Sequence, residues 1–385
     1  MLTVVALVLI LGLLVFVHEL GHFVAAKLSG VEVKTFAFGF PPRIWSKKIG
    51  ETTYAVNALP FGGYVTLRGE NEEIGEKEVT EKEEENPRSL LSKTPLQLLF
   101  IFVSGVAMNI VLAFVLLYAA FLIGFQPIYS GMWNHEGVTN TMQVTITDVE
   151  SGSPAETNGI QAGDIITKVD GENVYLDNDV VSTIREKNTD EGAAANLTIV
   201  RNGVEIEKTI STYKATVTGS NGEESQVSRI GVVLDNTGQV KGNFFSSFVA
   251  AADELWYMVK ATFVGVVNLF GQLVTKFTVS DDVTGPVGIY VATNYFAQMG
   301  IMYLVQFAAI LSISLAVFNI LPIPGLDGGH ATIVIIEAIT KRKLSVKTKG
   351  IIQMVGFSAL ILLMVVVTIK DVVNFDIIGY IKGVF

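Results

Sequence analysis

The chain has 385 residues, half of them hydrophobic, with a mean hydropathy of +0.48, a composition that excludes an ordinary soluble domain and calls for lipid-facing surface. It contains no cysteine, which excludes a disulfide framework and any thiolate metal ligand. Its net charge of −10 has no basic stripe to set against it, so no nucleic-acid partner is expected.

The first predicted element is a membrane helix over residues 1–28. Residues 1–17 carry no charge, and the apolar run resumes after His22 and reaches Lys27. A basic leader and a small-residue cleavage site are both missing, so the segment does not read as a signal peptide. Inside it stands His18-Glu19-Leu20-Gly21-His22, the pattern H-E-x-x-H. On a helix, positions i and i+4 share a face, so both imidazoles can reach one metal ion, and Glu19 can reach a water bound there. Ionisable groups at membrane depth are costly and mark functional sites. The bland alternative is a chance match, with the histidines satisfied by nearby carbonyls.

Residues 29–93 follow as a polar loop, with an acidic run, Glu81 to Glu85, read as solvated. Within this loop, Asn57 to Leu67 sets glycines beside a β-branched and aromatic strand. That pattern suggests an exposed edge able to take a substrate as an added strand, with Gly62, Gly63, Tyr64 and Val65 as contacts. An ordinary hairpin is the alternative. A second span is predicted over 94–125, opened by Thr94 and Pro95. Residues 143–214 read as a small domain of short strands, with hairpin chemistry at Asp170-Gly171 and Asn202-Gly203. The stretch 244–277 is apolar and helix-length but holds Asp253, Glu254 and Lys260; it reads as an amphipathic helix on the membrane surface, with a fifth span as the rival. The third and fourth spans are predicted over 299–330 and 350–370.

Basic clusters follow the first span (Lys27, Lys34, Arg43, Lys47, Lys48) and the third (Lys341, Arg342, Lys343, Lys347, Lys349). Both belong inside by the positive-inside rule. Four spans satisfy this with the termini and the middle domain outside; a fifth would place the last basic loop on the wrong side.

A catalytic zinc takes three protein ligands and keeps one open position. The third ligand is sought among isolated carboxylates at matching depth. Residues 283–326 carry no charge, and Asp327 follows them at the inner end of the third span, after two prolines that break the helix. The first and third spans run in the same direction, so His18, His22 and Asp327 come to a similar depth. A helix-end cap is the alternative for Asp327. His330 is a rival ligand, more readily a neighbour of the ligands; His135 lies in the outer region, apart from the site.

The H-E-x-x-H, the N-x-x-P-x-P-x-L-D-G run from Asn319 to Gly328, and a middle domain carrying Ser153-Pro154-Ala155, Gly163-Asp164-Ile165-Ile166 and Val169-Asp170-Gly171 resemble the site-2 protease family. These are intramembrane zinc metalloproteases, and the likeness is to the bacterial regulator-of-sigma-factor branch over nearly the whole chain. The resemblance implies a polytopic α-helical membrane protein of about four transmembrane helices, with a membrane-associated β-element and an inserted extracytoplasmic PDZ domain. It implies Zn2+ held by His18, His22 and Asp327, Glu19 as the catalytic base, and Asn319 at the substrate backbone or developing oxyanion. The family's G-x-x-x-N element matches Gly105 to Asn109, making Asn109 a substrate-side candidate; interhelical packing is the equal alternative. One PDZ domain is expected where some relatives have two. It would take an extended peptide or a C-terminus, either gating access or only spacing.

The expected function is an intramembrane zinc endopeptidase of a bacterial plasma membrane, multi-pass, with the active site toward the cytoplasm. Its substrates would be single-span membrane proteins, anti-sigma factors or remnant signal peptides, after a prior outer cut. A non-catalytic membrane PDZ adaptor is the alternative. A transporter is disfavoured because no inverted repeat of interrupted helices is visible.

Overall fold

Backbone polar groups in lipid must be satisfied within the segment, and an uncharged run does so as a helix. The computed structural model describes residues 2–70, 83–128, 135–187, 193–218, 224–276 and 285–374. Glu81 and Lys82 of the acidic run, and Phe277, lie outside these. Two units are distinguished: one holds the chain up to Leu117 and Leu255–Val372, the other Tyr118–Glu254 and the residues from Val373 onward.

In the first unit, α1 (Leu2–Leu28) carries the histidine pair. It is followed by β1 (Val33–Ile49) and β2 (Thr52–Leu67), which fold on themselves. The first half of β1 pairs on one side with the start of β2 (Phe36↔Tyr54) and on the other with its end (Phe36↔Val65). The second half of β1 pairs with the start of β2 alone (Trp45↔Val56). Gly63–Leu67 is therefore an edge, paired on one side only among the described strands. Next comes α2 (Pro95–Ile123). Its start is a reciprocal capping box: Gln97 N donates to Thr94 Oγ1 (3.4 Å), and Thr94 N donates to Gln97 Oε1 (3.1 Å).

The second unit is built on a sheet. After β3 (Val138–Asn140) come β4 (Gln143–Val149), α3 (Pro154–Thr157), β5 (Ile165–Val169), β6 (Glu172–Asn173) and α4 (Asp177–Lys187). Then follow β7 (Ala194–Arg201), β8 (Val204–Ser211), β9 (Tyr213–Thr218), β10 (Glu224–Arg229), β11 (Val232–Thr237) and β12 (Val240–Gly242). Five strands run antiparallel in the order β11-β4-β5-β7-β8, with β6 paired to β5. Asp170-Gly171 (φ 49° and 81°) and Asn202-Gly203 (φ 52° and 80°) close two of the hairpins with both central residues left-handed, as a type I′ turn demands. Alternate residues point inward, so Val144, Ile146, Ile166, Leu197, Ile199 and Ile210 form a buried core. The sheet takes its outer strand, β11, from beyond residue 214.

The chain continues with α5 (Phe244–Lys276), α6 (Pro286–Met299), α7 (Ile301–Ile320), α8 (Asp327–Thr340) and α9 (Val346–Asn374). Among the described residues, four helical segments are long and apolar enough to cross a membrane: Leu2–Leu28, Pro95–Ile123, Ile301–Ile320 and Lys347–Val373. Their outward surfaces are apolar, with Leu2, Leu9, Leu96, Val111, Met354 and Leu362 all exposed, which lipid rather than water accommodates. At 33 residues α5 is longer than any of these, but it is not among the segments that meet that apolar test.

Candidate metal centre

On α1, His18 and His22 stand one turn apart with ring centroids 4.8 Å from each other. Their Nε2 atoms are 3.2 Å apart. Asp327 reaches them from another helix. At Ile320 α7 ends, because Pro322 and Pro324 cannot continue its hydrogen-bond ladder, and the chain folds back sharply into α8. A side chain at Gly328 would collide with the carbonyls of Ile320 and Leu321, so the turn requires glycine there. Asp327 lies in the first turn of α8, but no side chain caps that helix. Its carboxylate points to the imidazoles instead: Oδ2 is 3.0 Å from His18 Nε2 and 3.3 Å from His22 Nε2.

The three atoms thus form a nearly equilateral triangle with edges of 3.0, 3.2 and 3.3 Å. Four ligands placed tetrahedrally at about 2.0 Å from one ion lie roughly 3.3 Å apart, so the triangle matches one face of such a tetrahedron. Asp327 Oδ2 is buried, and no hydrogen bond of proper angle reaches it. Three possible ligand atoms this close together, one of them orphaned, suit a cation. His22 is oriented for this: Nδ1–H donates to the Ile101 carbonyl (2.8 Å), which leaves Nε2 its lone pair. A two-histidine, one-carboxylate set without thiolate is one of the donor sets that catalytic zinc takes.

Glu19 borders the same cavity, of about 210 Å³. The Val65 backbone N–H donates to its carboxylate, so the unpaired side of the Gly63–Leu67 edge faces the glutamate. A Cβ at Gly63 would stand 3.4 Å from Glu19 Cγ. Tyr64 and Val65 line the cavity, with Leu67, Glu70, Ile101, Phe102 and His330. His330 stacks on Phe102, with centroids 5.1 Å apart and planes at 25°. Gly62 sits against the ring of Phe40 (Cζ 2.9 Å from a Cβ built there). Asn319, in the last turn of α7, is not among the lining residues; nor is Asn109, whose amide is 3.2 Å from His18 Nδ1. His135 lies in the other unit, paired with Asp253 at 3.1 Å. The Ile101 carbonyl and Glu70 were not singled out from sequence. A backbone acceptor on an apolar residue leaves no sequence signal, and Glu70 opens a run of acidic residues that masks it.

The sequence profile of peptidase family M50 matches residues 6–363. The chain belongs to peptidase family M50. This is the site-2 protease family, and the M50 chain is a zinc metalloendopeptidase of that type. It is similar to a protein of Clostridium acetobutylicum, 32% identical over 373 residues that cover 96% of this chain and 97% of that one. Zinc metalloprotease RasP of Bacillus licheniformis is 30% identical over 441 residues, 96% of this chain and 98% of its own. Regulator of sigma-W protease RasP of Bacillus subtilis is 28% identical over 441 residues, with the same two coverages. The crystal structure of a PDZ domain of an SdrC-like protein from Listeria monocytogenes covers 29% of the M50 chain and 93% of that domain. Its identity is 19% and its TM-score 0.20, too low to carry an argument.

Proposed function

We propose that this peptidase cuts single-span membrane proteins within or beside their transmembrane segment, after a first cut outside the membrane. Anti-sigma factors and remnant signal peptides are the substrate types. His18, His22 and Asp327 hold the zinc, and Glu19 is the base. The observation that carries the reading is the free strand edge against Glu19, beside the triangle of ligand atoms. A helical substrate hides its carbonyls, and pairing with Gly63–Leu67 would hold it extended at the glutamate. A zinc ion held by these three side chains would supply Lewis acidity for activating water and polarising the scissile carbonyl. Glu19 accepts the proton of the attacking water and returns it to the leaving amine. Gly62, Gly63, Tyr64, Val65 and Asn319 are assigned to the substrate backbone.

In the second unit, a cavity of about 380 Å³ lies between α4 and the outer strand β11, lined by Val180, Ile184, Ile230, Val232 and Leu234. An apolar groove along a free sheet edge suits an extended peptide, and we assign it the PDZ role of receiving a trimmed substrate end. The basic loops support, by the positive-inside rule, a reading with the metal centre toward the cytoplasm and this unit outside.

The test is a mass-spectrometric comparison of membrane peptides from cells carrying the wild type and Glu19→Gln. The variant is expected to keep its zinc and lose the cleavage products. Full cleavage by the variant would refute the assignment, and identical peptide sets with no zinc in either protein would favour the adaptor.

A further inference from the structure

Two residues of α2, one helical turn apart, lie against the imidazoles, and neither lines the cavity: Gly105 and Asn109. Asn109 is fully buried at 0% exposure. Its side-chain amide lies 3.2 Å from Nδ1 of His18, and its backbone carbonyl accepts from Ser312 Oγ of α7 at 2.8 Å.

The oxygen and nitrogen of a carboxamide exchange places by a half-turn, so chemistry must decide between the two orientations. With the nitrogen toward His18, Asn109 Oδ1 is buried without a hydrogen-bond partner. In that orientation His18 must also carry its hydrogen on Nε2, pointed into the triangle of ligand atoms. With the oxygen toward His18, that oxygen accepts from Nδ1–H, and Nε2 turns a lone pair to the point it shares with His22 and Asp327. The second arrangement repeats what the Ile101 carbonyl does for His22. Gly105 adds a steric condition. A Cβ there would stand 2.8 Å from His18 Cε1 and 2.9 Å from His18 Nε2, and closer still to His22 Nε2.

We propose that Asn109 is a positioning residue that accepts from His18 Nδ1–H and fixes the tautomer able to bind metal, with Gly105 providing the clearance for both imidazoles. The inference rests on the zinc reading of the site and gives the Gly105–Asn109 pair a role on the metal side rather than the substrate side. It also ties the centre together. Through its side chain Asn109 holds α1, and through its backbone it holds α7, the helix that leads to Asp327.

The test uses the full-length protein in detergent, with zinc stoichiometry and the rate of zinc release to a chelator as readouts. Loss of an outer partner of a metal-bound histidine typically weakens metal binding about 10- to 100-fold, and Asn109→Ala is expected to fall in that range. Asn109→Asp keeps an acceptor and should hold zinc close to the wild-type level. Gly105→Ala should lose zinc by crowding the rings.

Wild-type retention in Asn109→Ala, or equal loss in Asn109→Asp, overturns the proposal while the zinc reading stands. A wild type that binds no zinc overturns both. Should the alanine variant not fold, nitrogen-15 NMR of the zinc-loaded wild type still decides. A protonated Nδ1 on His18 is expected, and zinc bound through Nδ1 refutes the inference.

Discussion

Gly21 is the unspecified fourth position of the H-E-x-x-H, and the structure gives it a heavy constraint. In an isolated helix, replacing glycine with alanine gains about 1 kcal/mol. In this protein a Cβ at Gly21 would stand 2.7 Å from the Ser104 carbonyl carbon and 2.9 Å from Met108 Cγ, and closer still to the Ser104 oxygen. Ordinary carbon contacts begin at 3.4 Å. The methionine can swing aside, but the carbonyl belongs to the ladder of α2 and cannot. Gly21→Ala therefore drives α1 and α2 apart by about 0.7 Å at a point between the two histidines. Shifts of that size stretch the 3.0 and 3.3 Å edges to Asp327 toward about 4 Å, beyond one face of a zinc tetrahedron. A misplacement of about 1 Å costs on the order of 100-fold in rate, so this one should cost roughly 30-fold, or about 2 kcal/mol. The assay is cleavage of a single-span reporter by the reconstituted protein, with zinc content measured in the same preparation. Wild-type rate and zinc content in Gly21→Ala would refute the claim that helix contact at Gly21 sets the geometry of the centre.

Val65→Pro removes the N–H that Glu19 accepts, without touching a ligand atom, and should lower reporter cleavage by at least about tenfold while zinc stays bound. In the second unit, Asp164 is 1% exposed and accepts Arg201 Nε and a second guanidinium nitrogen, both at 2.6 Å. Arg201→Leu should lower the thermal midpoint of that unit in detergent, because a buried carboxylate loses its partner. Burial raises the Asp164 carboxyl, and the Arg201 fork outweighs it, holding the group below the ordinary carboxylate range. A depressed folded-state pKa gives stability that is present above the unfolded value of about 3.9 and is lost as pH falls further. Thermal midpoints between pH 6 and pH 3 should show that loss in the wild type and a flatter profile in Asp164→Asn.

The sequence by itself determined the parts whose rules are local. Uncharged runs can satisfy their backbones only as helices, so the spans were legible, as was the pairing of His18 with His22 on one helical face. Asp327 was legible because it ends a long uncharged run, and Asp170-Gly171 and Asn202-Gly203 because only certain residues adopt left-handed pairs. Residue types, however, do not say what stands opposite them. Only the tertiary structure decided that the carboxylate of Asp327 forgoes its own helix end and closes a triangle with the histidines. It alone turned the free side of Gly63–Leu67 to Glu19, through the doubled pairing of one long hairpin. The edge of the middle sheet came from β11, beyond the run of strands that hairpin signals mark out, because strand order depends on distant pairing. The same holds for His18-Glu19-Leu20-Gly21-His22. Its histidines suggest a metal by their spacing, but the room around them comes from Gly105, and the groups that meet their ring nitrogens, Asn109 and the Ile101 carbonyl, stand on a helix some eighty to ninety residues away.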